Sequence, residues 1–191
     1  MRNLSLSMIS VIALAVAACG GPSGKDIAMA KQARYTGDKL AIFNATKAVV
    51  EAKYKLEKSD ETALGMQTKA RWYTQDGVLA PGSDENFQQV PHNAIRVVHV
   101  VRMLPDGDTW IVQDEPLLMR RVAGSPQPEK LELGNASVPG WATGQVDELQ
   151  FEIYKALKAY EVKAPGGIAP APAPAPAAAP AADPAAPTPA P

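Results

Sequence analysis

The sequence predicts an α+β fold: a small antiparallel sheet of three to five strands, with an N-terminal and a C-terminal helix packed on one of its faces. Two observations carry this prediction. Apolar residues recur at helical spacing after residue 39 and again after residue 141, whereas the segments between them alternate or are rich in β-branched residues. Each helix has one apolar stripe to bury, and a shared sheet face buries both stripes.

The chain of 191 residues divides into four parts by composition. We predict a signal peptide at residues 1–18, a flexible tether at 19–24, one domain at 25–163 and a disordered Pro/Ala-rich tail at 164–191. The domain is long enough to bury a core without disulfides. Loss of the signal peptide leaves 18 basic against 20 acidic residues. This balance lacks the basic footprint of a nucleic-acid-binding protein, so we expect no nucleic-acid partner.

The N-terminus has the features of an export signal. Arg2 precedes an apolar run from Met8 to Ala18, which is too short for a membrane-spanning helix of roughly 20 residues. Small residues then lead to Cys19, and Gly20 begins a flexible linker. This pattern resembles the signal of bacterial lipoproteins. The resemblance implies cleavage between Ala18 and Cys19 and acylation of Cys19, which would hold the chain on a membrane.

The resemblance also implies a location. In lipoproteins an Asp directly after the acylated cysteine favours retention in the inner membrane, and here that position is Gly20. We therefore expect the periplasmic face of the outer membrane. Cys19 is the only cysteine of the chain, so no intrachain disulfide can form in this oxidising compartment.

The first half of the domain is predicted to run from helix into sheet. Lys25–Tyr35 forms either a short helix or more of the tether, and Gly37-Asp38 provides a break and a cap. From Lys39 an amphipathic helix follows. Its expected buried stripe consists of Ile42, Ala45, Val49, Ala52 and Leu56, widened by Leu40, Phe43 and Val50.

Two strands come next, separated by a turn. Tyr54–Lys58 is a short strand, and Leu64–Tyr73 is a longer one by its alternation. We expect one face of the longer strand to carry Leu64, Met66, Thr68, Ala70 and Trp72. Residues 74–93 are rich in turn formers and predict a long surface loop.

The second half of the domain is predicted to run from sheet back into helix. A hairpin has turn chemistry at Pro105–Asp108, and Pro116 then interrupts the following segment as a bulge or an edge. A polar loop at 124–140 leads to the closing helix. The elements expected are the hairpin strands Ala94–Leu104 and Thr109–Gln113, a continuation at Leu117–Val122, a short strand at Lys130–Leu133 and a helix at Trp141–Val162.

The two histidines are the first candidates for a chemical site. His99 shares a strand face with Ile95, Val97 and Val101, and a catalytic or metal role would pair it with an acid such as Asp114. Such a site needs three or more convergent ligands, or a nucleophile with a base and an orienting group. A satisfied or partly exposed sheet histidine is the preferred interpretation, and His92 lies in a loop. We therefore predict no catalytic residue, metal or cofactor.

The remaining candidates also favour structural roles. Asp84-Glu85 and Asp106-Gly107-Asp108 lack the spacing of a calcium loop and are interpreted as turns. The aromatic residues are expected to close the core rather than to line a groove. They are Trp72, Tyr73, Trp110 and Trp141.

A weak motif lies between residues 39 and 73. Tyr54, Leu56, Asp60, Gly65, Met66 and Thr68 follow an amphipathic helix. With one spacing residue different, this resembles the helix–strand–turn–strand opening of domains in BamC-type lipoproteins of the outer-membrane β-barrel assembly machinery. The resemblance implies an accessory of envelope assembly rather than an enzyme. That family has two domains, whereas one domain and a Pro/Ala-rich tail are expected here.

These observations predict a non-enzymatic lipoprotein that is held on the membrane by acyl chains on Cys19 and acts as an interaction or structural module of the envelope. Its partner would be another envelope protein or the cell wall, toward which the tail could extend; alternatively the tail only aids solubility. The alternative function is a carrier of a small ligand or glycan. A large apolar pocket would favour the carrier, and a free edge strand would favour the interaction module.

Overall fold

The computed structural model describes residues 21–80 and 90–162. The predictions for the signal peptide, for Ala18 and Cys19, for Asp84-Glu85 and for the tail therefore lie outside the described residues. The helices are α1 Gly24–Gln32, α2 Lys39–Lys53 and α3 Gly140–Ala156, followed by a 3-10 turn at Lys158–Tyr160. The strands are β1 Leu56–Asp60, β2 Gly65–Thr68, β3 Arg71–Tyr73, β4 Ile95–Val98, β5 Val100–Asp106, β6 Thr109–Asp114, β7 Leu117–Arg120 and β8 Glu129–Leu131.

The α+β class is confirmed, but the single sheet of three to five strands is wrong in number. Two four-stranded antiparallel sheets are present, a first sheet in the order β1-β2-β5-β6 and a second in the order β3-β4-β7-β8. Three stretches of chain, 65–73, 95–106 and 109–120, each pass from one sheet to the other. On each of the three stretches, the backbone hydrogen-bond ladder is interrupted at the point where the stretch leaves the first sheet and enters the second. We call this point the junction.

A β-bulge on one side of the central stretch and a proline on the other interrupt the ladder at the junction. Between the pairs Gln67–Val100 and Arg71–Val97, the three residues 68–70 face only two, which makes a β-bulge. On the other side of the central stretch, Pro116 lies opposite His99 in the register and has no backbone N–H to give to the ladder.

The bulge changes which side chains share a face. Met66 and Thr68 are buried on the face that the helices cover, which we call the inner face. Trp72 lies beyond the bulge and belongs to a separate cluster with Ala80 and Val90. The prediction that Trp72 shares a face with Met66 and Thr68 is wrong, because one extra residue moves every later side chain to the opposite face.

The N-terminal segment is a helix rather than more tether. Ser23 and Asp26 form a reciprocal capping box at the start of α1. Asp38 caps α2 by accepting a hydrogen bond from the Ala41 backbone N–H.

The buried stripe of α2 is rotated from the predicted one. Its buried residues are Ile42, Phe43, Thr46 and Val50, whereas Val49 is only half-buried and Ala52 is exposed. Thr46 can be buried because its hydroxyl donates to the Ile42 carbonyl at 2.9 Å. Although threonine is polar, its hydroxyl donor is therefore satisfied by a hydrogen bond within the helix.

The closing helix ends earlier than predicted. After Ala156 the chain passes through the 3-10 turn and pairs in extended form with the segment before α2. Val162 N–H donates to the Arg34 carbonyl, and Thr36 N–H donates to the Tyr160 carbonyl. These bonds need extended backbone, so the helix cannot continue to residue 162.

One main core lies between the helices and the inner face of the first sheet. All three helices contribute to it, through Ala30, Val50 and Ile153 among others, and Val101 and Val112 come from the sheet. A smaller cluster on the second sheet includes Tyr73 and Leu118, with Val138 and Trp141 packed against it. The predicted packing of both terminal helices on one sheet face is therefore correct.

Candidate functional site

A buried histidine–aspartate pair lies at the junction. The His99 Nδ1 atom is 2.6 Å from Asp114 Oδ2, and the two side chains are 1% and 0% exposed. The register brings them together, because β5 and β6 are neighbours in the first sheet. The backbone N–H of His99 donates to the Thr68 hydroxyl at 3.0 Å. Asp114 is the acid that we named as the partner of His99 from the sequence. The alternative of a partly exposed His99 is wrong, because the side chain is buried.

An aromatic ring and a cationic group lie beside the imidazole, with the two rings tilted by 44° to each other. The ring centroids of Tyr54 and His99 are 4.4 Å apart, and the Arg71 guanidinium carbon is 4.9 Å from the Tyr54 centroid. The order is therefore carboxylate, imidazole, phenol ring and guanidinium. Sequence reasoning missed Tyr54, since its position directly after α2 gives no sign that it covers a strand residue.

Gln150 of α3 ties the helix layer to the same place. Its side-chain oxygen accepts a hydrogen bond from the Asp114 backbone N–H at 3.1 Å, and its nitrogen donates to the Val112 carbonyl at 2.8 Å. The side chain is buried with its polar atoms bonded to β6. Sequence reasoning missed this residue as well, although a Gln within the apolar stripe of a helix is a usable signal for such a bond.

Burial dominates the electrostatics of this cluster. It raises the pKa of Asp114 above the ordinary value, and the hydrogen bond from His99 opposes this only in part. Burial also raises the pKa of the Tyr54 hydroxyl to about 12, with Tyr73 and Asp114 contributing in the same direction. Tyr54 is therefore a neutral ring at physiological pH.

The pair is not accessible to a substrate. Neither side chain reaches solvent, and the residues that the structure describes include no group of three or more potential metal ligands. A catalytic base must contact the proton that it removes. The geometry is that of an internal tie between strands rather than of an open site.

The other candidates are dispersed. His92 is exposed in a turn, and Asp106 and Asp108 are exposed at the β5–β6 turn. The aromatic residues do not form one groove. Tyr73 packs against Trp141 with ring centroids 5.3 Å apart on the inner face, whereas Trp72 lies in the separate cluster on the opposite face.

Two cavities lie beside α3. An open groove of about 620 Å³ runs between α1 and α3. A smaller cavity of about 190 Å³ is lined by Lys31, Gln113, Asp114, Glu115, Val146 and Gln150. The lining of the groove is mixed: half of its ten residues are charged, and the others are glycine, proline or apolar residues. It consists of Gly21, Pro22, Asp26, Ile27, Gly144, Asp147, Glu148, Phe151, Glu152 and Lys155.

Strand β1 has a free edge. It is the outermost strand of the first sheet, and four of its five residues are exposed. The opposite edge, β6, is covered where Tyr35 and Trp110 exchange backbone hydrogen bonds. The β3 edge of the second sheet is covered where Ala80 N–H donates to the Trp72 carbonyl. The three-residue β8 is the outermost strand at the other end of the second sheet. In the described ranges, no strand pairs with the outer side of β1 or of β8, and β1, with five residues, is the longer of these two free edges.

The chain matches no protein-family model, and no curated protein matches it. The likeness to BamC-type lipoproteins therefore remains an expectation from a short motif. None of the helices in the described part of the chain is long and apolar enough to span a membrane.

Proposed function

We propose that this protein is a non-enzymatic, lipid-anchored lipoprotein whose α+β domain binds other proteins at the periplasmic face of the outer membrane. The signal that ends in Cys19 supports the anchor. The free edge of β1 is the observation that carries the binding role.

An edge strand offers a ready mode of recognition. Its outward backbone N–H and C=O groups can pair with an extended segment of a partner, and the side chains on either face then decide which partner fits. Charged residues such as Glu57 and Lys58 are exposed on β1. Charges on an edge discourage unselective pairing, so such an edge favours specific partners.

The rival carrier function has less support. A small-ligand site is normally a concave, mostly apolar cavity with a few polar groups. The groove between α1 and α3 has Ile27 and Phe151 as apolar lining, but it also carries the carboxylates of Asp26, Asp147 and Glu148 and is open to solvent. A carrier would use this groove. An enzymatic role is not favoured, because the His99–Asp114 pair is enclosed.

A site-specific photocrosslinker tests the binding role. It would replace Lys58 in the full chain expressed in a host that acylates lipoproteins, and in a matched control it would replace Lys130 on the short outer strand β8. We expect adducts with envelope proteins or with a second copy from position 58 but not from position 130. A chain that is anchored normally and gives equal adducts, or none, from both positions would contradict the binding role of β1.

A further inference from the structure

We infer that one partner of β1 is the β1 strand of a second copy, and that two chains pair antiparallel about the midpoint between Glu57 and Lys58 into one continuous eight-stranded sheet. This deepens the proposed function by naming a partner. It relies on that function only for the membrane that brings the copies together.

The charges along the edge are self-complementary. The sequence from Lys55 to Asp60 reads Lys-Leu-Glu-Lys-Ser-Asp. Reversed and laid against itself, it puts opposite charges together at four of its six positions. The cross-strand pairs are Lys55 with Asp60, Leu56 with Ser59, and Glu57 with Lys58, each occurring twice. Directly opposite residues of antiparallel strands contact each other, so each ionic pair favours the dimer.

The sheet faces on which these side chains lie are also symmetric about the midpoint between Glu57 and Lys58. Leu56 and Ser59 lie opposite the buried Thr68 and Met66, which puts both on the inner face. Glu57 is the extra residue of a bulge, because Leu56 and Lys58 are opposite consecutive residues of β2. The Glu57 carboxylate accepts a hydrogen bond from the Gln67 side-chain nitrogen at 3.2 Å.

Lys58 and Asp60 lie opposite Gln67 and Gly65, on the outer face. With the bulge, Glu57 joins Lys58 on that face, and alternation from Leu56 puts Lys55 there too. Every pair of the proposed register therefore joins residues of the same face, as an antiparallel ladder requires.

Neighbouring registers are not complementary. A centre at Lys58 would put two Lys58 side chains opposite each other, and a centre between Lys58 and Ser59 would put Glu57 opposite Asp60. Like charges directly opposite each other are destabilising. The charges therefore select one register.

The symmetry of the pair suits two anchored chains. Joining two sheets edge to edge in this way needs a twofold axis perpendicular to the sheet, and both helix layers then lie on the same side. Helix α1 begins at Gly24, five residues after Cys19. An extended tether of that length reaches about 17 Å. Both anchors can then enter one bilayer from the same side of the dimer.

A contact between two short edge strands buries little surface. Stable protein interfaces bury about 1,200 Å² or more, so we expect weak pairing in dilute solution. Two chains held on the same membrane meet at a much higher effective concentration, which promotes such a contact without any new interaction.

Charge swaps in the anchored full chain test the pairing. Two copies with different C-terminal tags are coexpressed, their membranes are treated with a zero-length carbodiimide, and dimers that carry both tags are quantified. We expect a mixed-tag dimer for the wild type and a loss of roughly tenfold or more for Lys58→Glu, which puts carboxylates opposite each other. The double change Glu57→Lys/Lys58→Glu restores opposite charges and should restore the dimer. Lys130→Glu, on the outer strand of the second sheet, should have no effect.

Equal dimer yields from Lys58→Glu and Lys130→Glu, failure of the double change to restore the dimer, or no mixed-tag dimer from anchored wild type would overturn the inference. Membrane fractionation of the same cells separates this from failure of the anchor. If the wild-type chain is found in the soluble fraction, the anchor is wrong, and pairing is then decided by sedimentation of the same variants at high concentration. A wild-type dimer that Lys58→Glu dissociates there supports the pairing, and monomers throughout overturn it.

Discussion

The Nδ1 atom of His99 and the Oδ2 atom of Asp114 lie 2.6 Å apart where two of the three long stretches pass from the first sheet to the second. Both side chains are enclosed. The pair therefore links adjacent strands beside Pro116, where the backbone ladder is interrupted. An enclosed pair of this kind has little intrinsic stabilising value compared with apolar residues, but the loss of one partner leaves the other unsatisfied.

Removing only the imidazole should destabilise the domain strongly. His99→Leu leaves an enclosed carboxylate without its partner and should lower the free energy of unfolding by about 3–5 kcal/mol. The double change His99→Leu/Asp114→Leu removes both polar groups and should cost less than the single change. Urea denaturation measures both, with the exposed His92→Leu as a control expected to cost under about 0.5 kcal/mol. A double variant less stable than His99→Leu would contradict the internal tie.

The stability should also depend on pH through Asp114. Burial raises the pKa of its carboxyl group above the value of about 3.9 of an unfolded chain. The folded state then holds this proton more tightly than the unfolded state. The resulting stabilisation is complete below about pH 4 and is lost as the pH rises through the raised pKa.

Asp114→Asn keeps the side-chain shape but cannot ionise. The stability of this variant relative to the wild type should therefore increase between about pH 4 and about pH 7, whatever its absolute value. Urea denaturation across this range measures the difference. Parallel pH profiles for the two proteins would show that Asp114 does not ionise differently in the folded and unfolded states.

The helix faces give a second stability test. Ile153 is fully buried against the first sheet, whereas Lys155, two positions further along α3, is half exposed and pairs with Glu152. Ile153→Ala should cost about 2–5 kcal/mol because it leaves a cavity in the core. Lys155→Ala should cost under about 0.5 kcal/mol. Equal losses in thermal or urea unfolding would contradict the packing of α3.

The sequence predicted the elements that depend on local patterns. Helix α2 begins directly after its predicted cap, Asp38. Strands β5 and β6 form the expected hairpin around Gly107, where a positive φ of 59° suits glycine. The side-chain faces were harder to predict. Alternation from Leu64 to Trp72 continues through the bulge at residues 68–70, and only the pairing of this stretch with β4 and β5 reveals the extra residue.

Only the part of the candidate site that depends on local strand pairing could be predicted from the sequence. Hairpin register brings Asp114 close to His99, but the enclosure of the pair comes from Tyr54 and Gln150, which belong to distant parts of the chain. Polar residues on helix stripes, such as Thr46 and Gln150, look exposed in a hydropathy pattern. They are buried because each finds a backbone partner, which depends on tertiary contacts in the case of Gln150.

The tail should not contribute to stability. The described chain ends at Val162, whose backbone N–H donates to the Arg34 carbonyl. A protein truncated after Lys163 keeps this bond and loses only Pro/Ala-rich sequence, which has too few apolar side chains to form a core. We expect the same melting temperature by circular dichroism with and without the tail. A drop of many degrees would show that the tail packs on the domain.

The predicted lipid anchor depends on the sulfur atom of Cys19 and can be tested by replacing that residue. Acylation of the Cys19 sulfur and of the new N-terminus adds chains whose buried methylenes contribute about 0.8 kcal/mol each, so each chain supplies on the order of 10 kcal/mol of membrane affinity. Serine has no thiol to acylate. Cys19→Ser should therefore move the protein from the detergent phase to the aqueous phase in a phase-separation assay, or leave an uncleaved precursor with a signal peptide. Gly20→Ser keeps the cysteine and should remain in the detergent phase at mature size. If Cys19→Ser still yields a mature-sized protein in the detergent phase, then the domain associates with the membrane by some other means, and the lipoprotein interpretation of Cys19 is wrong.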